Sequence, residues 1–415
     1  MILNFEKLQL FDNLIEMVAS LKETHPKKYY FKTICKVMYF IGMGDCWYEQ
    51  DVERSRIHKM FYKAWYFFIN FFIYSFIGNE ILAHFRSDLD EKAKNDLLQF
   101  SIAHPVVSSK ILVLYWKRDS IIDLMKRMVE GTVSFNSLEL ERASVKMAVK
   151  YCIYLIISTY MALVSALFDA IRIHIIEGVP ISTEVVLYPT ESNTGILINI
   201  FRFIIEFHWY YLMAMMLAVD CLAVCFLVTA KYKFQLVQLF FQNMRTKVLE
   251  NPEKKTLREL QEEFKKDFVT GIKMHEDALW CAHNVQKSMG PVYSIQVSES
   301  VGLLVMTLIK MVASERNLVY LLANLAYISC LLVLTGTYMM LGGDITYEAS
   351  LVTTSMFYSG WELIRSRSDL RVLGVVALQR SQVAVEMTAF GIITLSYTNF
   401  ISVLRHSYSF FAVMY

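Results

Sequence analysis

Polar side chains recur along one side of the apolar segment that ends the chain, MTAFGIITLSYTNFISVLRHSYSFFAVM. Successive residues of an α-helix turn by about 100°, so a helix here would carry, within an arc of about 140°, the side chains of Thr394, Thr398, Asn399, Ser402, Arg405, His406 and Ser409. Hydrocarbon cannot solvate such groups, so this face must meet protein or water. It is either a buried packing face or one wall of a water-filled pathway, and the pattern alone favours neither.

A water-filled pathway would need more than one such helix. A single helix cannot enclose a pore, so this interpretation implies an oligomer in which each subunit contributes its last helix around a central axis.

Two histidines and a cysteine, His275, Cys281 and His283, are close enough in sequence to suggest metal ligands. Zinc sites pair their ligands at tighter spacing, so we interpret these three side chains as incidental members of an amphipathic helix. The sequence has no P-loop, no His-Glu-x-x-His and no nucleophile elbow. We therefore expect no enzyme activity, no metal and no cofactor.

The elements that must position these residues are membrane helices. Hydrophobic residues make up 55% of the 415 residues and charged residues only 19%, with a mean hydropathy of +0.37. Soluble domains are about 45–50% apolar and about 25% charged. The excess falls in blocks of about 20 residues, the length that spans a bilayer. We predict an all-α membrane protein with seven transmembrane helices, at residues 60–82, 97–116, 147–171, 196–230, 293–313, 318–341 and 385–413.

Basic residues accumulate in alternate connections between these segments. Lys and Arg are frequent before the first segment and in 231–292, whereas the connection between the third and fourth segments contains Arg172 alone. Cytoplasmic loops carry such an excess, so we place the N-terminus in the cytoplasm and the C-terminus outside. A G-protein-coupled receptor has the opposite orientation. No basic stretch is interleaved with aromatic residues, so we expect no nucleic-acid partner.

The predicted topology divides the chain into consecutive regions. These are a cytoplasmic N-terminal helical region, 1–59, which starts with an amphipathic helix and has no signal peptide; transmembrane helices one to four, 60–230; a cytoplasmic helical anchor, 231–292; helices five and six, 293–341; the cytoplasmic part of helix seven, 342–384; and its membrane part, 385–415. The fourth segment is too long for one span, which predicts a continuous helix that projects beyond the membrane.

An apolar stripe in the anchor recurs at helical spacing, with Leu257, Leu260, Phe264, Phe268, Ile272 and Leu279. Such a stripe needs a partner surface. We predict that the extended ends of helices four and five pack together below the membrane.

The C-terminal segment resembles the signature of insect odorant receptors. The matching residues are Phe390-Gly391, Leu395, Phe400, Val403-Leu404 and Ser407-Tyr408-Ser409-Phe410, with Trp361 and Leu378-Gln379-Arg380-Ser381-Gln382 upstream. The stretch ITYEASLVTTSMFYSGWE resembles the moth branch in particular. One departure is Val383, where many members have proline.

The resemblance implies an odorant-specific subunit of a heterotetrameric, ligand-gated, non-selective cation channel. Its partners would be the odorant receptor co-receptor, a small volatile ligand and membrane lipid, in the plasma membrane of an olfactory sensory neuron. The last helix would line the pore. The co-receptor has a longer region between helices four and five, so this chain resembles a tuning subunit. Arg405 facing a cation pathway would raise the barrier for cations, so either it turns toward a neighbour or only a minority of such subunits enters each channel.

The resemblance also places an apolar ligand pocket in the outer halves of helices two, three, four and six. Those halves contain Phe100, Ser101, His104, Met161, Ser165, Phe168, Phe203, Glu206, Phe207, Tyr210, Asn324 and Tyr327. Glu206 is four residues after Arg202, so the two side chains could pair along the helix. Alternatively, Glu206 or His104 could orient the hydroxyl or aldehyde group of a ligand.

Other classes of protein fit less well. A gustatory-type chemoreceptor channel would share this fold and topology, and only the C-terminal signature distinguishes it. A G-protein-coupled chemoreceptor is opposed by the charge distribution. A secondary transporter would usually show inverted repeats and helices broken at mid-membrane, and the sequence shows neither.

Overall fold

The computed structural model describes residues 25–45, 55–131, 135–250, 256–313, 317–363 and 368–414. The amphipathic helix predicted at the N-terminus lies outside these ranges. The described helices, in chain order, are α1 (Pro26–Phe40), α2 (Arg56–Leu82), α3 (Glu91–Trp116), α4 (Arg118–Glu130), α5 (Leu138–Glu177), α6 (Ile196–Glu250), α7 (Leu257–Ala313), α8 (Leu318–Phe357), α9 (Ser368–Ser381) and α10 (Tyr397–Met414). A short 3-10 helix, Ala83–Phe85, extends α2.

Six of the described helices are long and apolar enough to cross a membrane: α2, α3, α5, α6, α7 and α8. Each contains one of the first six predicted spans. Helix α10 is 18 residues long, shorter than any of these six, and carries Arg405 and His406. The protein is therefore an all-α membrane protein, with α10 in the place of the seventh predicted helix.

Helix α6 forms the centre of the bundle. Its side chains are buried on all sides from Leu222 to Ala230, and Trp209, Leu212 and Met215 are also buried. A helix that is apolar all round is stable only when other helices surround it. Contacts with α5, α7 and α8 supply this cover for α6.

Helices α6 and α7 extend far beyond membrane thickness, with 55 and 57 residues. Their polar ends pack together as the stripe predicts, since Phe264 and Phe268 are buried and the Phe268 ring lies 5.7 Å from that of Phe241. A Cβ at Gly271 would lie 2.6 Å from the Phe241 ring, so only glycine allows the two helices to approach this closely.

The connection between the second and third spans contains a helix that the sequence interpretation missed. In α4, Ile121, Leu124, Met125 and Met128 are buried, at helical spacing.

Asp90 and Ser137 accept hydrogen bonds from backbone amides at the starts of α3 and α5 and so act as N-caps.

The last predicted span, 385–413, is not one continuous helix. Two short strands, β1 (Thr388–Ala389) and β2 (Ile393–Thr394), form an antiparallel pair before α10 begins. The turn between them needs positive φ at Phe390 (57°) and Gly391 (72°), a conformation that a helix cannot contain. Thr394 therefore lies on β2, and its prediction as part of the polar helix face is corrected.

The region 342–384 also divides differently from the prediction that assigned it to helix seven. Helix α8 continues without a break through Phe357, so 342–357 extend the sixth spanning helix. Helix α9 is a separate element that packs on α8. Gly342 of α8 lies against Leu395, which precedes α10. A Cβ at position 342 would clash with the Leu395 side chain, so the glycine allows this close contact.

Candidate functional site

A cavity of about 190 Å³ lies between α3, α5, α6 and α8, and is closed by α7 and by the segment 182–184. Aromatic and small apolar side chains form most of its wall, with several polar groups at one side. Its lining includes Gln99, Phe100, His104, Thr159, Ala162, Glu184, Trp209, Tyr210, Glu299, Lys310, Tyr320, Asn324 and Tyr327. A second cavity of about 260 Å³ adjoins the first, and both are lined by Asp96, Thr183 and Glu184.

The aromatic wall is packed ring on ring. The His104 imidazole is stacked on Trp209 at 4.2 Å between ring centroids, and Phe100 meets Tyr327 edge to face at 6.2 Å. Such a wall offers apolar area and π-faces to a small organic molecule. Lys310 lies over the rings of Phe100 and Tyr320, at 5.5 and 5.6 Å from their centroids.

A group of buried charges lies beside the cavity, and its member Glu299 is part of the cavity wall. Lys110 has no exposed side-chain area, and its Nζ lies 3.2 Å from Glu299 Oε2 and 3.5 Å from Asp220 Oδ1. Lys110 also donates to Gln296, and the Tyr338 hydroxyl donates to Asp220 at 2.6 Å. Because α3, α6, α7 and α8 each supply a member, this network joins four helices beside the cavity. A lysine inside a span is tolerated where acidic partners surround it.

Glu206 does not pair with Arg202, contrary to the spacing argument. Its carboxylate accepts from the Thr183 amide at 2.8 Å and from the Thr183 hydroxyl at 2.7 Å, in the adjoining cavity. Arg202 instead donates to the carbonyls of Thr190 and Asn193 and to the Asn199 side chain. Glu206 and Arg202 thus each attach the 178–195 connection to α6, and they do not pair with each other.

The predicted ligand residues fall into two groups. Phe100, His104, Tyr210, Asn324 and Tyr327 line the cavity. Ser101 is turned away and hydrogen-bonds to His84 at 2.9 Å, and Glu206 lines only the adjoining cavity. The other five are not part of the cavity wall, and most of them lie exposed on the outside of the bundle: Met161, Ser165, Phe168, Phe203 and Phe207.

The difference is one of helical phase. On α5 the cavity wall is formed by Thr159, Ala162, Leu163 and Ala166, whereas Met161 and Phe168 are 58% and 62% exposed. A membrane helix is apolar toward lipid as well as toward its neighbours, so the apolar pattern does not say which face is inside. Trp209 and Met213 on α6 were missed for the same reason. The sequence did contain one signal for the inner face of α5, since small residues such as Ala162 and Ala166 lie on the side that lines the cavity.

The polar face of the last helix is open in the single chain. Thr398, Arg405, His406 and Ser409 are exposed, and Asn399 and Ser402 are half-buried. The other side of α10 packs on the bundle, where Val403 and Ser407 are buried and Phe400 lies against Gly336 of α8. Thr394 on β2 donates to Glu386 at 3.3 Å.

The middle of α7 holds the hairpin by side-chain hydrogen bonds to β1 and to the turn that follows it. The Gln286 amide donates to the Thr388 carbonyl at 2.9 Å and accepts from the Thr388 amide at 2.9 Å. Ser294 Oγ accepts from the Phe390 amide at 2.7 Å. Glu299 of the same helix lines the cavity, so α7 contacts both the cavity and the hairpin that precedes α10.

The three side chains considered as metal ligands, His275, Cys281 and His283, do not converge. His275 and Cys281 are buried whereas His283 is exposed on another face of α7. Burial raises the pKa of the Cys281 thiol to about 11, and a thiol of this kind does not ionise readily. Within the described ranges, the group of His, Cys, Asp and Glu side chains close enough to share a metal is Glu80, His104 and Glu184.

Comparison with known proteins agrees with this architecture. A family model described as 7tm Odorant receptor matches residues 93–408. The structure of the insect olfactory receptor OR5 from Machilis hrabei superposes with a TM-score of 0.72 at 9% identity, covering 93% of this chain and 97% of that chain. The same receptor in complex with eugenol gives a TM-score of 0.72 at 10% identity, covering 93% and 98%. No protein with a curated description matches the chain.

Proposed function

The chain belongs to the 7tm odorant receptor family, and we propose that it is the odorant-specific subunit of a heterotetrameric, ligand-gated, non-selective cation channel. The channel forms with the odorant receptor co-receptor in the plasma membrane of olfactory sensory neurons, in their dendrites. A small volatile molecule opens it by binding in the cavity between α3, α5, α6 and α8. The aromatic cavity, in contact with α7, is the observation that carries this proposal.

The cavity suits a small, mostly apolar ligand with one polar group. Phe100, Trp209 and Tyr327 supply apolar area, while Asn324 and Thr159 provide hydrogen-bonding groups. Burying about 200–300 Å² of ligand at about 25 cal/mol per Å² contributes about 5–8 kcal/mol before the entropy cost of binding. Micromolar binding needs about 8 kcal/mol, so contacts with the polar groups of the cavity must add to this apolar contribution. A ligand related to the alcohols, aldehydes or plant volatiles meets these requirements.

Helix α7 offers a physical route from the cavity to the last helix. Glu299 lies on the cavity wall, and Gln286 and Ser294 on the same helix hold the strand before α10. A rotation or shift of α7 therefore moves the start of α10. Gating follows if the ligand binds the open arrangement more tightly than the closed one.

The exposed polar face of α10 supports its role as a pathway wall. Arg405 and His406 cannot remain in contact with lipid tails, since a charged side chain at membrane depth is costly unless it meets water or protein. Neighbouring subunits arranged around an axis would enclose this face and provide the water. Because Arg405 raises the barrier for cations, a minority of such subunits in each channel suits a cation pathway.

Co-expression with an insect co-receptor in oocytes tests the proposal. Whole-cell current is recorded while a panel of volatiles is applied, with each chain alone as the matched control. We expect a fast inward cation current that needs both chains and persists when G-protein signalling is blocked.

Two results would contradict the proposal. A response abolished by blocking G-proteins would identify a different class of receptor. A response to soluble tastants, with none to volatiles at comparable surface expression, would favour a gustatory-type channel.

A further inference from the structure

Three side chains from three separate elements converge on one side of the cavity. Glu80 lies near the end of α2, His104 lies in α3, and Glu184 lies in the connection between α5 and α6. One ligand atom from each lies within 4.8 Å of the other two. Glu80 and His104 are buried, with 1% and 6% of their side-chain areas exposed, and Glu80 Oε2 lies 2.8 Å from His104 Nδ1.

Two oxygens of this group have no hydrogen-bond partner among the described residues. They are Glu80 Oε1 and Glu184 Oε2, and both atoms are buried. A buried carboxylate oxygen without a partner costs several kcal/mol unless a proton or a cation neutralises it.

The nearby basic side chains are already engaged elsewhere. Lys310 pairs with Asp96 at 2.5 Å, and Arg86 binds Asp88 at 2.7 Å and donates to the Val186 carbonyl at 2.8 Å. His104 is thus the cationic or metal-ligating group in direct contact with Glu80. The three side chains contain two carboxylates and one imidazole, so a divalent cation would balance their charge.

From this arrangement we propose that Glu80, His104 and Glu184 bind a divalent transition-metal ion of the Zn²⁺ class. One imidazole nitrogen and two carboxylate oxygens are a donor set that zinc accepts, with bonds of about 2.0–2.2 Å. Two ligands at that distance from one tetrahedral ion are about 3.3–3.6 Å apart. Glu80 Oε2 and His104 Nδ1, now 2.8 Å apart, therefore move apart by about half an ångström when the ion enters between them. A small rotation of the Glu184 side chain brings in the third ligand.

Binding of the metal displaces a proton and leaves one coordination position open. The ion takes the place of the proton between His104 Nδ1 and Glu80, and that proton passes to solvent. Three protein ligands leave a fourth position for water or for a sulfur or oxygen atom of a ligand. His104 and Glu184 both line the cavity, so this position faces the ligand cavity.

The ion would also add to the hydrogen bonds that already join the 178–195 connection to the end of α2, such as Asn79 to the Tyr188 carbonyl at 2.7 Å. Glu184 belongs to the connection that covers the cavity, and the metal ties it to α2 and α3. This inference goes beyond the proposed function, since metal binding requires neither a volatile nor a co-receptor.

The test uses the full-length chain purified in lipid nanodiscs and titrated with ZnCl₂ by calorimetry. We expect one Zn²⁺ per chain, and a fall in affinity of at least about tenfold in Glu80→Gln and in Glu184→Gln. Glu206→Gln is the matched control, because this nearby buried carboxylate already has Thr183 as a partner; it should bind zinc as the wild type does.

A second measurement, made on the unmodified chain, tests the proposal even if the variants fail to fold. Cu²⁺ bound in place of zinc should show the electron spin-echo modulation of a coordinated imidazole. Any one of three results would overturn the site. The first is wild-type protein that binds no zinc, and the second is bound copper without an imidazole ligand. The third is that Glu80→Gln and Glu184→Gln fold and bind zinc as the wild type does. None of these outcomes depends on odorant-evoked current, so they leave the proposed function to its own test.

Discussion

At the scale of single residues, Lys110 is the buried charge on which the membrane bundle depends. Its partners Asp220 and Glu299 come from α6 and α7, and both carboxylates are buried with it. Removing one member of a buried ionic group costs about 3–5 kcal/mol, because the others remain buried without a counter-charge. We predict that Lys110→Met is destabilised by this amount, measured as a lower melting temperature in detergent and less receptor at the cell surface.

The matched control is Lys94→Met. Lys94 pairs with Glu91 on the same helix, but its side chain is 56% exposed, so its replacement should change stability by no more than about 0.5 kcal/mol. A Lys110→Met protein that melts at the temperature of the wild type would show that the network contributes nothing.

Ala162 is a cavity residue where a larger side chain must compete with the ligand. It is 8% exposed and lines the cavity, whereas the adjacent Met161 is 58% exposed on the outer surface of α5. We predict that Ala162→Phe raises the half-maximal volatile concentration by at least about tenfold, since 1.4 kcal/mol of lost binding has that effect. Met161→Phe should leave the dose–response curve unchanged. Equal effects of the two variants, at equal surface expression, would refute this cavity as the ligand site.

His275 provides a pH-dependent contribution to stability outside the membrane-spanning segments. Burial, with a smaller effect of the Arg380 charge, lowers its pKa from 6.5 to about 4. The unfolded chain therefore takes up a proton at higher pH than the folded chain does. Stability from this group is complete above pH 6.5 and is lost as the pH falls toward 4, by up to about 3 kcal/mol.

The check on His275 is the melting temperature of purified protein between pH 7.5 and pH 4.5. We expect the wild type to lose stability over this range more steeply than His275→Leu, which has no imidazole to protonate. Parallel curves for the two proteins would contradict the assignment of the effect to His275.

At the scale of elements, α7 is the helix that links ligand and gate. Gln286 makes hydrogen bonds to both the amide and the carbonyl of Thr388, and each such bond contributes about 0.5–1.5 kcal/mol. We predict that Gln286→Leu lowers the maximal volatile-evoked current by about tenfold or more, because the hairpin before α10 no longer follows α7. Surface expression should stay close to that of the wild type.

Asn284→Leu is the control for this effect. The Asn284 amide donates to Trp280 within α7 and so does not join α7 to the hairpin. If Gln286→Leu gave wild-type currents, or if Asn284→Leu reduced them equally, the proposed link through α7 would be wrong.

The elements themselves were largely predictable, since blocks of about 20 apolar residues have few other uses. The stripe at 257–279 likewise indicated the packing between α6 and α7. The hairpin was not predictable in the same way, because Ile392, Ile393 and Leu395 continue the apolar run and only Gly391 marks the turn. The buried spacing of Ile121, Leu124 and Met128 in α4 was present in the sequence and was overlooked.

The sequence predicted the kinds of residue in the candidate site, but not which side of each helix faces the cavity. Aromatic residues in the outer halves of the helices were expected, and Phe100, Tyr210 and Tyr327 line the cavity. Lipid and protein interior are both apolar, so a pattern of apolar residues cannot separate Phe168, which is exposed, from Trp209, which is buried. The partners of Glu206 and His104 come from distant parts of the chain, which helical spacing does not reveal.

At the scale of the whole molecule, one chain leaves a polar surface that no other part of the described chain covers. Arg405, His406 and Ser409 are exposed on α10, while the opposite side of that helix packs on α7 and α8. An assembly that gathers several such helices around an axis would give this face water and neighbours.

The similarity of residues 345–362 to moth receptors stays a prediction at this scale, as does the ratio of this subunit to its partner.

Cysteine accessibility along α10 in the co-expressed channel tests the central claim most directly. Ser409→Cys lies on the exposed polar face, and Leu404→Cys lies where α10 packs against the cluster around Leu303, Leu304 and Leu331. With a charged thiol reagent applied outside, we predict that the Ser409→Cys current falls irreversibly, and faster when the volatile is present. Leu404→Cys and wild-type currents should not change. Modification of Leu404→Cys at the rate of Ser409→Cys, or complete labelling of Ser409→Cys without loss of current, would contradict a pathway lined by α10.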